Sequence, residues 1–126
     1  MKIRIASALV LAGMLTSGIA AAECVYPKAP GGIPDGNTAT EEEMIAGMSA
    51  VKDYNAEVTA YLSCLEMQVQ TDISAAGMEA TKETIDQIKA ISAKRHNAAV
   101  EELQAHAARF NEQVKVYKAR DKGKKS

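Results

Sequence analysis

No proline follows Pro34. The chain has 126 residues, and its three prolines, Pro27, Pro30 and Pro34, all fall within CVYPKAPGGIPDG, residues 24–36. A proline inside a helix removes a backbone hydrogen bond and collides with the preceding turn. From Thr38 to Ser126 there is no such break, and the stretch is rich in Ala, Glu, Lys, Gln and Met, all good helix formers. The chain is therefore divided into a strip that cannot be regular helix and a long remainder that can.

Within the remainder, TATEEE marks a helix start. Thr40 can cap the helix, and Glu43 can reach back to it in a capping box. Three consecutive glutamates suit the positive end of a helix dipole. Apolar residues then recur at Met44, Met48, Val51, Val58, Leu62, Leu65 and Val69, with Asn55 in the one missing place. Those alternating steps of four and three form the heptad seam of an amphipathic helix. The same register continues into Asp72, Ala76, Glu79 and Glu83, where the seam is lost. It resumes in another phase at Ile85, Ile88, Ser92, Ala99, Leu103, Phe110, Val114 and Tyr117. A lost seam and a shifted phase predict two helices, with Gly77 the best stop between them. One continuous helix is the competing reading.

Charge favours folding back. From Glu41 to Asp72 there are seven acids and one lysine; from Met78 onward there are seven acids and eleven bases. Lys115, Lys118, Arg120, Lys122, Lys124 and Lys125 crowd the end. An antiparallel pairing lays this basic end beside Glu41, Glu42 and Glu43. Each surface pair contributes only a few tenths of a kcal/mol, roughly, but the pattern sets orientation.

The opening residues place the chain in a compartment. Lys2 and Arg4 give a positive start, residues 5–16 are mostly apolar, and Ala20, Ala21 and Ala22 supply small residues for cleavage. This pattern predicts a secretory signal peptide cut after Ala22. The apolar run is shorter than the roughly 20 residues of a membrane span. Glu23 directly before Cys24 speaks against lipidation of that cysteine. Loss of Lys2 and Arg4 takes the net charge from −1 to −3. A small acidic secreted domain has no global reason to bind nucleic acid.

The only cysteines are Cys24 and Cys64. In an oxidising periplasmic or extracellular setting, two cysteines read as one disulfide. Their wide separation fits no reactive CxxC pair. The geometry allows the bond: a helix from Thr40 to Cys64 rises about 36 Å, and an extended strip from Cys24 to Thr40 spans about 50 Å. The strip can therefore run back along the first helix as a strap. Pro27, Pro30 and Pro34 would pass over Tyr61, Tyr54 and the small residues Gly47 and Ala50, as proline-rich ligands pack on aromatic grooves. Asp35-Gly36 supplies turn chemistry to reverse the chain into the helix.

Chemistry-bearing residues are few and scattered. His96 and His106 point about 80° apart around a helix, which is poor for a shared metal, and Glu102 with His106 alone makes no zinc site. Both histidines read as solvated helix residues. Met44 and Met48 have sulfur suited to Cu(I), but they sit on the seam, where core packing explains them. No Gly-rich phosphate loop and no Ser–His–acid set is recognisable. No cofactor, metal or catalytic residue is expected, and the chain reads as a non-enzyme. The basic end, ARDKGKKS, has charge suited to an anionic membrane or nucleic acid; it is short, lacks aromatics, and complements the acidic start of the first helix. Asn55 and Asn97 fall at matching heights in the two helices and are expected to form a buried polar pair that fixes register.

The succession of signal peptide, CVYPKAPGGIPDG, TEEEM, VKDYNAEVTAYLSCL and HNAAVEELQAHAARFN resembles small secreted helical proteins of Gram-negative bacteria that carry no assigned activity. The resemblance implies a helical envelope protein and carries over no catalytic or binding residue. The diagnostic repeats of small periplasmic chaperones are not recognisable in it.

The expected fold is all-α: an antiparallel, coiled-coil-like two-helix hairpin with an extended Pro-rich N-terminal strap tied by a disulfide. The expected segments are a signal peptide at 1–22, a strap at 23–39, a hairpin at 40–121 and a basic disordered tail at 122–126. Within the hairpin the helices cover about 41–72 and 80–121, with a turn at about 73–79. The expected role is a periplasmic structural or protein-binding module, acting on an unknown envelope protein or on itself. Ala90, Ala93, Val100 and Ala107 form a small-residue stripe able to accept another helix. The alternatives are a small inhibitor or immunity-type protein, and a metal or lipid carrier or chaperone.

Overall fold

Thr40 starts the first helix. Its hydroxyl accepts from the Glu43 N–H, and the Glu43 carboxylate accepts from the Thr40 N–H at 2.7 Å. This capping box satisfies two backbone donors that a helix start leaves open. In the computed structural model, which describes residues 23–125, α1 then runs Glu41–Ala76. The expected signal peptide, residues 1–22, lies outside the described residues.

Gly77 ends α1, with φ 59°. Glycine adopts that positive φ without the Cβ clash that penalises other residues. A single 3-10 turn, Gly77–Glu79, follows. Thr81 then caps α2, Lys82–Lys124, by accepting from the Thr84 N–H. The break at Gly77 agrees with the sequence reading, and the chain is two helices rather than one. The boundaries differ. α1 continues past residue 72, through a stretch of good helix formers that has lost its seam but not its propensity. α2 likewise extends through the segment read as a disordered tail as far as Lys124. Lys122 and Lys124 there suit the negative end of the helix dipole.

Among the described residues the structure is helical with no strand. Residues 23–40 form no helix; they contain a bend at Gly31 and a turn at residues 36–38. Asp35 organises that turn. Its carbonyl accepts from the Thr38 and Ala39 N–H groups, and its carboxylate accepts from the Asn37 N–H at 2.9 Å. Cys24 and Cys64 are joined in a disulfide across a separation of 40 residues.

Two apolar clusters hold the elements together. Tyr54, Val58, Tyr61, Leu65 and Ala99 form one, with Cys24, Ala29, Leu62 and Leu103 packed against it. Ala39, Met44 and Phe110 form the other, with Ile33, Val51, Val114 and Tyr117 around it. Each cluster draws on the N-terminal segment, α1 and α2 together. That explains where the buried line on α1 runs. The largest fully buried side chains, Tyr54 at 2 % exposure and Val58 at 1 %, continue to Tyr61 and Leu65 in steps of three and four. Met48, on the expected seam, is 45 % exposed. α1 is covered by α2 on one side and by the N-terminal segment on the other, so its best-buried line lies between them.

Candidate functional site

The N-terminal segment is fixed to both helices by specific contacts. The Tyr26 ring meets Tyr61 edge-on, with centroids 5.3 Å apart, and its hydroxyl donates to Glu102 Oε2 of α2 at 2.8 Å. That hydrogen bond to a carboxylate holds the phenolic proton, and with burial it raises the Tyr26 pKa to about 12. Pro27 is buried, while Pro30 and Pro34 are half-buried. Pro34 crosses α1 at Gly47, where a Cβ would stand 2.8 Å from Pro34 Cγ and 2.7 Å from Phe110 Cε2. Gly36 lies hard against α2. A Cβ on it would meet Gln113 O at 2.2 Å and Tyr117 N at 2.8 Å, and its N–H donates to Gln113 Oε1 at 2.8 Å. The Arg120 guanidinium forks onto the carbonyls of Asn37 and Ala39, each at 2.7 Å, and stacks 4.8 Å from the Tyr117 ring centre.

Other residues singled out from sequence fall in two groups. Tyr54 and Tyr61 are both buried, and the disulfide cysteines are joined. Tyr54 meets His106 edge-on at 5.7 Å, and its hydroxyl is buried with no hydrogen-bond partner. Burial pushes its ionisation upward, with Glu102 and Glu57 adding to the effect. His106 corrects the solvated reading: it is 4 % exposed. It fills the place between Leu103 and Phe110 in steps of three and four, a gap visible in the sequence. His96 is exposed. Asn55 and Asn97 are both exposed, so these two do not form the expected buried polar pair. Rotation of α1's buried line toward Tyr54 carries Asn55 to the surface.

On the side of each helix away from the N-terminal segment, α1 and α2 bound a line of hollows. The first, about 280 Å³, is lined by Met44, Ile45, Met48, Phe110 and Val114, between Glu41 and Lys118. The second, about 540 Å³, lies among Val51, Lys52, Asn55, Val100, Leu103 and Ala107. The third, about 620 Å³, lies among Met67, Val69, Ala93, His96 and Asn97, between Glu66 and Lys89. Around α1 the groove positions Glu41, Ile45, Met48 and Lys52 lie on one flank of the buried line. Cys64, which carries the disulfide to Cys24, lies on the other flank, while Gly47 and Tyr61 lie on the line itself. Ile45 at 55 % exposure and Met48 stand open in this groove. Its two walls differ in charge: Glu41 and Glu66 with Lys52 on α1, Lys89 and Lys118 on α2.

Among the described residues no group of three or more His, Cys, Asp or Glu is placed to hold a metal ion. No helix there is long and apolar enough to cross a membrane. No family model, curated protein or solved structure matches the chain.

Proposed function

We propose that the chain is a periplasmic, non-enzymatic protein-binding module: an antiparallel helical hairpin, strapped on one face and open on the other. The observation that carries this reading is the asymmetry between the faces. One is covered by the N-terminal segment through Tyr26, Pro34, Gly36 and the disulfide, which leaves a hollow of about 500 Å³ beside Ile33, Arg109 and Val116; the other is a groove running along both helices with exposed Ile45 and Met48. Exposed apolar residues in line along a groove suit a helix-in-groove contact. The antiparallel arrangement is supported by the order of cross-helix partners. Leu65 and Tyr61 share a cluster with Ala99, and Met44 shares one with Phe110.

The polar groups best equipped for chemistry serve architecture instead. Glu102 receives Tyr26, His106 stacks on Tyr54, Arg120 binds carbonyls, and both cysteines are bonded. Residues 1–22 supply the secretion signal, and an oxidising compartment suits the disulfide.

A photo-crosslinking residue placed at Ala93 in the groove, or at Lys28 in the strap, tests the surface in living cells. Both positions are exposed. The expected result is protein crosslinks from Ala93 and none from Lys28. Crosslinks from Lys28 alone would overturn the groove as the binding face. Recovery from a periplasmic extract of a chain beginning at Glu23 tests the compartment.

A further inference from the structure

We infer that the occupant of the groove is a second copy of the same chain, giving a two-fold four-helix bundle in which α1 of each copy lies on α2 of the other. The dimer presupposes that the groove is the binding face and specifies what fills it. From Glu41 to Val69 the face is about 42 Å long. At two helices wide, about 10 Å each, it offers roughly 800 Å² per copy, the per-partner area of a standard stable interface. The residues it would cover include Ile45, Met48, Val100 and Ala107, apolar and either exposed or half-buried.

Charge selects the geometry. The acids on the groove wall are on α1, Glu41 and Glu66, and the lysines on the α2 wall are Lys89 and Lys118. A two-fold axis parallel to the helices places α1 against the partner's α2, running in opposite directions. Heights along the bundle are then preserved. Glu41 meets Lys118 of the partner subunit, and Glu66 meets Lys89 of the partner subunit. A two-fold axis across the helices instead sets α1 on α1 and opposes Glu41 with Glu66 of the partner subunit. Opposed like charges disfavour that alternative, and opposite charges favour the first. Lys52 lies at the height of the uncharged Gln104 and Ala107, so it does not oppose the first arrangement, whereas the second brings it close to its own symmetry copy near the axis. The small side chains of Ala93 and Ala107 let the facing helices approach closely.

Sedimentation equilibrium on the mature, disulfide-bonded chain at low salt tests this. The wild-type chain is expected to be dimeric. Glu66→Lys should weaken the dimer about tenfold, because two attractive pairs become repulsive. Adding Lys89→Glu to it should restore dimerisation. Ala93→Glu should abolish the dimer while circular dichroism of the helices is unchanged, since Ala93 is exposed in the single chain. A monomeric wild type, or a Glu66→Lys chain that dimerises more tightly, overturns the inference. A monomer that still crosslinks from Ala93 to a different protein overturns the dimer and leaves the groove as binding face. A dimer untouched by Ala93→Glu overturns the groove itself.

Discussion

Arg120, near the end of α2, donates to the carbonyl oxygen of Ala39, the residue before the α1 N-cap, at 2.7 Å. The other arm of the same guanidinium takes the Asn37 carbonyl. One planar side chain therefore joins the end of the second helix to the entry of the first, across 81 residues of sequence. Lysine cannot copy a two-armed contact of this kind. Arg120→Ala should destabilise the chain by about 2 kcal/mol, mainly from the charge-assisted bond to the partly buried Ala39 carbonyl, the bond to Asn37 being exposed. Arg120→Lys should recover less than half. Urea unfolding of the mature chain reads both. Equal stability for the lysine variant would show that charge, not the fork, matters.

The glycines separate close approach from helix propensity. Gly36→Ala should destabilise by about 2 kcal/mol or more, because its Cβ would overlap the α2 backbone at Gln113 and Tyr117. Gly123 lies inside α2 with open space around it. Gly123→Ala should leave stability unchanged or raise it by up to about 1 kcal/mol. Thermal melts of the pair check the contrast; a tolerated Gly36→Ala would mean that the turn does not seat on α2.

That contrast shows what was legible in the sequence. Helical content, the Thr40 cap, the stop at Gly77 and the cysteine pairing follow from local chemistry, and the structure contains all four. The rotation of the α1 buried line does not follow, because a heptad pattern assumes one partner and α1 has two. Met48 and Asn55 consequently lie exposed, and Tyr54 and Tyr61 take the core. Asp35-Gly36 was readable as a turn, but the contact of Gly36 with α2 is long-range and leaves no local trace. The Tyr26–Glu102 bond is hidden for the same reason. His106 was readable: its place between Leu103 and Phe110 fits the seam, and polarity alone argued against it.

Tyr54 carries a buried hydroxyl with no partner. An unsatisfied buried donor is costly, whereas its ring fills space beside Val58 and His106. Tyr54→Phe keeps the ring and removes the hydroxyl, so it should stabilise the chain by about 1 kcal/mol. Tyr54→Ala should destabilise it by about 3–5 kcal/mol through the cavity left behind. Denaturant midpoints decide both. A loss of stability in the phenylalanine variant would mean that the hydroxyl is hydrogen-bonded.

The disulfide fastens the N-terminal segment at its far end, beyond Tyr26. Closing a separation of 40 residues contributes about 4 kcal/mol in the chain-entropy account. Cys24→Ala with Cys64→Ala should therefore lower stability by about that amount. Amide exchange should rise first in residues 24–34, which form no helix, while the α1–α2 contacts at Met44 and Phe110 stay protected. Uniform loss of protection would mean that the segment and the two helices unfold as one unit.

Tyr26 gives the fold an alkaline limit. Its pKa rises from the ordinary 10.0 to about 12, first because it donates to Glu102 and then because of burial. The folded chain thus holds a proton that the unfolded chain releases at lower pH. The sign follows: this contribution is complete below pH 10 and is lost as pH climbs from about 10 to about 12. Because Tyr26 is 43 % exposed, solvent screens the interaction and the loss should be modest. Ultraviolet titration of phenolate in a Tyr54→Phe background, which removes the other raised tyrosine, should show a late-ionising tyrosine that disappears when Tyr26→Phe is added. Glu102→Gln should return the Tyr26 titration toward 10 while leaving the helices folded. An unchanged late step in Glu102→Gln would place its origin in burial rather than in the bond to Glu102, and the alkaline loss would then persist in that variant.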